Sequence, residues 1–173
     1  FNEINGELLL DGNWWNTSLN AVFLGSEFRI TMRNNLPFAY LMGGGNLELS
    51  ALVESQTANL DKLTGSLQAL NDTSSTSWPD RVKVDLDFRF GELTAMQTRA
   101  GNVSGRLQYR YPAVTLSGFR MEAWNGRIDL EGSLTGPGSP GPRISLDAAM
   151  KDVDIEGPFL AFNNFNQEVL TSE

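Results

Sequence analysis

The chain has 173 residues, 40% of them hydrophobic, with 21 acidic against 13 basic side chains and a formal charge of −8. That length suits one sizeable domain or two small ones, the apolar share is that of a folded protein, and the negative charge argues against a nucleic-acid surface. With neither cysteine nor histidine, the chain holds no disulfide scaffold, no thiolate zinc site, no Cys nucleophile and no His-based triad.

Absence of cysteine suits a bacterial periplasm and equally many cytosolic domains. No apolar run approaches the ~20 residues that span a bilayer, and no signal peptide is visible. The first residue is Phe1 rather than Met. The reading therefore expects a segment cut from a longer chain, with any targeting or membrane segment outside it.

Strand signals dominate from the start. "INGELLL" (4–10) reads as extended. In "NWW" (13–15), neighbouring positions on a strand point to opposite faces, so Trp14 and Trp15 cannot both be core, and one is expected exposed or at a loop edge. "SEFRITMRN" follows as a strand. "NNLPFAYLMGGG" offers a short helix from about Leu36 to Met42, with Pro37 in its first turn and glycine at its exit. Gly43, Gly44 and Gly45 are no phosphate loop, because no Lys-Ser/Thr follows them. "NLELSALVES" places Leu47, Leu49, Ala51 and Val53 on one side, with Leu52 interrupting the polar side. Leu60, Leu63, Leu67 and Leu70 then recur at helical spacing, weakened by Gly65. "NDTSSTSWPD" is a loop and the best candidate boundary.

"DRVKVDLDFRF" is the strictest strand. Val82, Val84, Leu86, Phe88 and Phe90 alternate with Lys83, Asp85, Asp87 and Arg89, the period of a half-buried strand. "SGRLQYRY" is extended. "GFRMEAWNGRIDLEGSL" (118–134) is a hairpin: Phe119, Met121, Ile128 and Leu130 make a greasy face, and Asn125-Gly126 is the strongest two-residue turn signal. That turn predicts Ala123 opposite Ile128, Met121 opposite Leu130 and Arg120 opposite Glu131. It leaves Glu122 opposite Asp129, an unfavourable pair. "TGPGSPGP" is a loop. "RISLDAAMKDVDI" alternates through Ile144, Leu146 and Ala148, then slips near Ala149-Met150, as at a bulge or bend. "EGPFLAFNNF" starts a helix with Pro158 at its first position.

An internal repeat runs beneath these elements. "INGELLL" returns about a hundred residues later as "VSGRLQY", "FRITMRN" as "RIDLEGS" and "LELSALVES" as "ISLDAAMKD", each series ending in a Leu/Phe-rich segment. Self-similarity at a fixed period marks a β unit that extends by stacking. The expected organisation is a first β-groove repeat over 1–70, a linker over 71–80 and a second repeat over 81–173. The expected fold is mainly β, an extended, curled antiparallel sheet with a few short helices; a closed β-sandwich is the alternative.

Three stretches carry a family resemblance: "GSEFRITMRNNLPFAYLMGGGNLELSALVESQTANLDKL", "GNVSGRLQYRYPAVTLSGFRMEAWNGRIDLEGSL" and "RISLDAAMKDVDIEGPFLAF". They resemble the AsmA-like family of Gram-negative periplasmic proteins, most of all its Bacteroidetes-type members. The second is similar to the family's C-terminal signature, with Gly126, Ile128, Leu130 and Gly132 in the pattern G-x-I-x-L-x-G. The resemblance implies a non-enzymatic, bridge-like lipid transfer protein. It implies a periplasmic chain anchored to the inner membrane by an N-terminal helix that is not in this sequence. It also implies an apolar β-groove that shields phospholipid acyl chains between inner and outer membranes, in outer-membrane biogenesis, and contacts with proteins of both membranes. The groove candidates are Val82, Val84, Leu86, Phe88, Phe90, Phe119, Met121, Ile128, Leu130, Ile144 and Leu146. No cofactor, metal or nucleic-acid partner is expected.

Competing readings come from other classes. Trp14 or Trp15 would serve a secreted β-sandwich module for carbohydrate binding or adhesion. Asp85/Asp87 and Asp152/Asp154 each share a strand face and would serve a calcium site or an acid-dyad hydrolase, although calcium wants six to eight oxygens. The sequons at Asn16, Asn71 and Asn102 carry no meaning in a bacterial periplasm.

Overall fold

A computed structural model describes residues 3–23, 25–35, 38–62, 78–95, 98–136, 141–154 and 156–161. The strands are β1 (Glu3–Asp11), β2 (Trp14–Phe23), β3 (Ser26–Asn35), β4 (Leu47–Asn59), β5 (Val82–Ala95), β6 (Thr98–Arg110), β7 (Ala113–Ala123), β8 (Gly126–Thr135) and β9 (Arg143–Lys151). Among the described residues, short helices lie after β3, α1 (Phe38–Leu41), and after β9, α2 (Glu156–Ala161). All nine strands form one sheet in sequence order, β1 through β9. Among the described residues β1 pairs with β2 alone and β9 with β8 alone, so the sheet does not close on itself. The mainly-β, extended-sheet reading holds, and the closed-sandwich alternative does not.

Seven of the eight strand pairs are antiparallel; β4 and β5 run parallel. A parallel step needs a long crossover rather than a hairpin, and here it spans the segment between Asn59 and Val82. Within it Leu60–Lys62 are helical and Trp78–Arg81 form a loop, while the expected leucine-spaced helix beyond residue 62 lies outside the described residues. The sheet runs without a break across the expected boundary at 71–80. The repeat is visible in its topology. The meander β1–β4 has a counterpart in β6–β9, and each series ends in a strand followed by a helical turn.

Three local expectations need correction. The hairpin turn is Trp124-Asn125, with φ of 49° and 62°, not Asn125-Gly126. Ala123 therefore faces Gly126, Met121 faces Ile128 and Phe119 faces Leu130. The shift places Glu122 opposite Arg127 and Arg120 opposite Asp129, which removes the like-charge pair of the other register. Trp124 is fixed from outside the hairpin, because its carbonyl accepts a 2.8 Å hydrogen bond from the Asp154 N–H. Its ring also lies against Gly157 of α2. In β9 there is no bulge: pairing with β8 continues evenly from Arg143 to Lys151. The apparent slip arises because Ala149, a small apolar residue, sits on the polar side. Pro158 is the third residue of α2, not the first. Proline is tolerated there because the first-turn N–H groups have no intrahelical acceptor.

True bulges occur elsewhere. The β6–β7 ladder shifts at Asn102 (φ 49°) and again opposite Gly118 (φ 57°), and β7–β8 shifts at the same glycine. Gly118 keeps Leu116 and Phe119 on one face although they are three apart. Strict alternation would have placed them on opposite faces. At the far ends of β4, β5 and β6 spacing also changes to three. Ser55 and Ala58, Phe90 and Leu93, and Ala100 and Val103 are separated this way. Ala58, Leu93, Ala100, Val103 and Ala123 form one buried cluster, flanked by Phe28, Phe88, Phe90, Phe119, Met121 and Trp124.

Gly105 shows how tightly this cluster is packed. A β-carbon there would lie 2.6 Å from the Phe88 ring and 3.2 Å from the Phe119 Cα. Phe88 meets Phe119 at 6.1 Å and stacks on Phe90 at 5.8 Å, so its ring is held on both sides. Gly105→Val is expected to cost about 1–3 kcal/mol through overpacking, measured as a fall in the urea unfolding midpoint. Phe88→Leu in the same chain should recover part of that loss, because the two substitutions share one space.

Candidate apolar binding surface

Cross-strand register turns separate alternating strands into continuous rows, since directly opposed residues point to the same face. One row reads Leu8, Thr17, Met32, Ala51, Leu86, Leu107, Leu116, Gly132 and Leu146, one residue from each strand. The next reads Leu10, Trp15, Asn34, Leu49, Val84, Tyr109, Val114, Leu134 and Ile144. A third crosses Leu19, Ile30, Val53 and Phe88, passes over Gly105, and continues through Phe119, Leu130 and Ala148.

All eleven groove candidates fall on this face. Val82 stands beside Leu47; Val84, Leu86, Phe88 and Phe90 follow along β5; Met121–Ile128 and Phe119–Leu130 are opposed pairs; Ile144 and Leu146 close the face on β9. The candidates omitted Leu8, Leu10, Trp15, Ile30, Met32, Leu107, Val114 and Leu116. Their alternation was present in the sequence, but only the ladder shows that they continue the same rows.

Burial along the face is graded. Ile128 (2% exposed) and Val103 (1%) are sealed, whereas Leu8 (59%), Leu10 (65%), Ile144 (77%) and Leu146 (66%) stand open. The exposed residues form one patch on each edge strand, joined across the sheet by half-buried residues of the same rows; exposed apolar patches mark interaction sites. Two polar side chains within the face have partners. Ser55 Oγ lies 2.6 Å from the Glu27 carbonyl and 2.7 Å from that of Thr57, and Tyr109 Oη donates to the Pro79 carbonyl at 2.6 Å. Burial holds the Tyr109 phenol above its usual pKa range.

The reverse face is a lattice of charge pairs, again set by register. Lys83 meets Glu48 at 2.9 Å, Arg106 grips Asp87 through two bonds of 2.7 and 3.0 Å, and Arg110 meets Asp85 at 2.5 Å. Arg120 and Arg127 converge on Asp129 at 2.8 and 2.9 Å. These pairs are exposed to solvent, so each adds little stability by itself. Their main effect is to keep this face wet and the register single.

The competing sites do not assemble. Asp85 is occupied by Gln108 and Arg110, and Asp87 by Arg106. Asp154 accepts the Glu156 N–H at 3.1 Å. Among the described residues no three His, Cys, Asp or Glu side chains are grouped to hold a metal. Trp14 and Trp15 are both half-buried, and Trp14 stands at a loop edge, the first residue of β2 after the turn at 12–13. Trp14 lies on the polar side beneath the Arg33 guanidinium, 4.5 Å from the ring centre, and Trp15 lies on the apolar side between Leu10 and Asn34.

A hollow of about 1010 Å³ crosses β1 to β6. It is lined by the polar row Asn5, Asn20, Arg29, Glu54, Arg89 and Ser104, and also by Phe28, Phe90 and Val103. Phe28 and Phe90 are the chain neighbours of Arg29 and Arg89, so the rings and the guanidinium groups point to opposite faces of the sheet.

The charge lattice sets an acid response. Asp129 is held below the usual carboxylate range chiefly by its hydrogen bond from Arg120, and Asp85 by those from Gln108 and then Arg110. A carboxylate with a depressed folded-state pKa contributes stability above its unfolded value, near 3.8, and loses it as pH falls through the folded value. The urea midpoint should therefore drop as pH falls below about 4. The Arg120→Met, Arg110→Met double variant should show a shallower drop over the same range.

Compared with protein-family models, with curated proteins and with solved structures, the chain matches none.

Proposed function

We propose that this sheet is a segment of a non-enzymatic lipid conduit, one that covers acyl chains with its apolar face and leaves its charged face in water. The observation that carries the reading is the pair of adjacent rows that cross all nine strands, apolar but for Thr17, Gly132 and Asn34, and end at both edges in exposed Leu8, Leu10, Ile144 and Leu146. A conduit needs such continuity and no reactive group. An acyl chain of about sixteen carbons costs on the order of 10 kcal/mol to expose to water, at roughly 0.8 kcal/mol per methylene. The resemblance to AsmA-like proteins points the same way, to a periplasmic chain working between two membranes. No helix among the described residues is long and apolar enough to cross a membrane.

The test is native mass spectrometry of the purified chain with lipid analysis of an organic extract, and it should find phospholipid. The Ile144→Asp, Leu146→Asp double variant should lose several-fold of that lipid while its far-UV circular dichroism is unchanged, because both side chains already stand in solvent. A lipid-free parent chain, or a variant that keeps its lipid, overturns the reading.

A further inference from the structure

The two edges of the sheet are unlike, and they fit each other. β1 and β9 each have nine residues, and among the described residues no strand pairs with the outer row of backbone N–H and C=O groups of either. We propose that β9 of one chain pairs with β1 of a second copy, antiparallel, with Arg143 opposite Asp11 and Met150 opposite Ile4.

Strand direction favours this contact. Had all nine strands alternated, β9 would run the same way as β1. The single parallel step at β4–β5 reverses the count, so β9 runs opposite to β1. A second copy displaced along the sheet, without inversion, then presents its β1 antiparallel to β9 and keeps its apolar face on the same side. In the full-overlap register Ile144 meets Leu10 and Leu146 meets Leu8. Ala148 meets Gly6, where Leu19 already lies over the glycine, 2.4 Å from where a β-carbon would stand. The pairing places small opposite small where a side chain from the neighbouring strand fills the space.

Charge selects unlike edges over like ones. The β1 edge carries Glu7 and Asp11 with no basic residue, whereas β9 carries Arg143 and Lys151 about Asp147. A two-fold β9–β9 contact would set Arg143 against Lys151 and Asp147 against itself, and a β1–β1 contact would set Glu7 against itself. Like charges directly opposed across strands are destabilising. The β9–β1 contact forms Arg143–Asp11 and retains one like-charge pair, Glu7–Asp147. Because the contact is head-to-tail and the sheet is open, it propagates instead of closing into a dimer. This inference concerns the edges and does not depend on what the apolar face covers.

The chain has no cysteine, so engineered thiols give an unambiguous readout. Leu9→Cys and Ser145→Cys chains, whose residues are opposed in the proposed register, should form the mixed 9–145 disulfide when combined under mild oxidation. Neither alone should dimerise comparably, and Asn5→Cys in place of Leu9→Cys should lower the yield several-fold. Sedimentation of the parent chain should show mass rising with concentration. Asp147→Lys, which converts the one like-charge pair to an attractive one, should tighten that association about tenfold. Monomer at every concentration without the mixed disulfide would assign the edges to other strands and overturn the proposal. Equal cross-linking of all thiol combinations would mean unspecific contact and would also overturn it.

Discussion

Cross-strand register is the constraint on which this molecule depends. A strand's side chains alternate with a period of two, so a slip of one residue at any ladder would carry its apolar set into water. Eight ladders must therefore agree before nine separate alternations become one surface. Where alternation fails locally, the backbone restores agreement: the bulge at Gly118 brings Leu116 and Phe119 to the same side. The turn at Trp124-Asn125 keeps apolar opposite apolar while setting Arg120 against Asp129.

The charged face and the apolar face are thus two results of one register. The ion pairs add little stability individually, because both partners of most pairs remain hydrated. Between β7 and β8 they favour the observed pairing, since the alternative register would set Glu122 against Asp129. The stabilising interactions are concentrated at one end, where Phe88, Phe90 and Phe119 pack over Val103 and Gly105. From there burial declines toward β1 and β9. This grading suits a surface whose centre is held by protein and whose margins are open to another apolar partner.

The arrangement also extends naturally. The β1–β4 and β6–β9 meanders place apolar residues on the same side, and the parallel junction between β4 and β5 preserves that side. A sheet built this way gains length without changing character, as a conduit for long apolar molecules requires. Of the acidic pairs, Asp85 and Asp87 are held by arginine and glutamine, and Asp154 accepts the Glu156 N–H.

The sequence by itself determined strand identity, the division of residues between faces and the mainly-β class. Period-two alternation in stretches such as "VKVDLDFRF" expresses a local requirement, a half-buried pleat. The groove candidates from Val82 to Leu146 were legible for that reason. The tertiary structure decided what alternation cannot encode. It selected the parallel step at β4–β5, the hairpin register, the even pairing of β9 and the bulges at Asn102 and Gly118. Each depends on a partner distant in sequence: Trp124 is held by Asp154 and Gly157, and Gly105 is fitted to Phe88. Only the assembled ladder made the rows continuous and left both edges open, because the side a strand presents is local but the neighbour beside it is not.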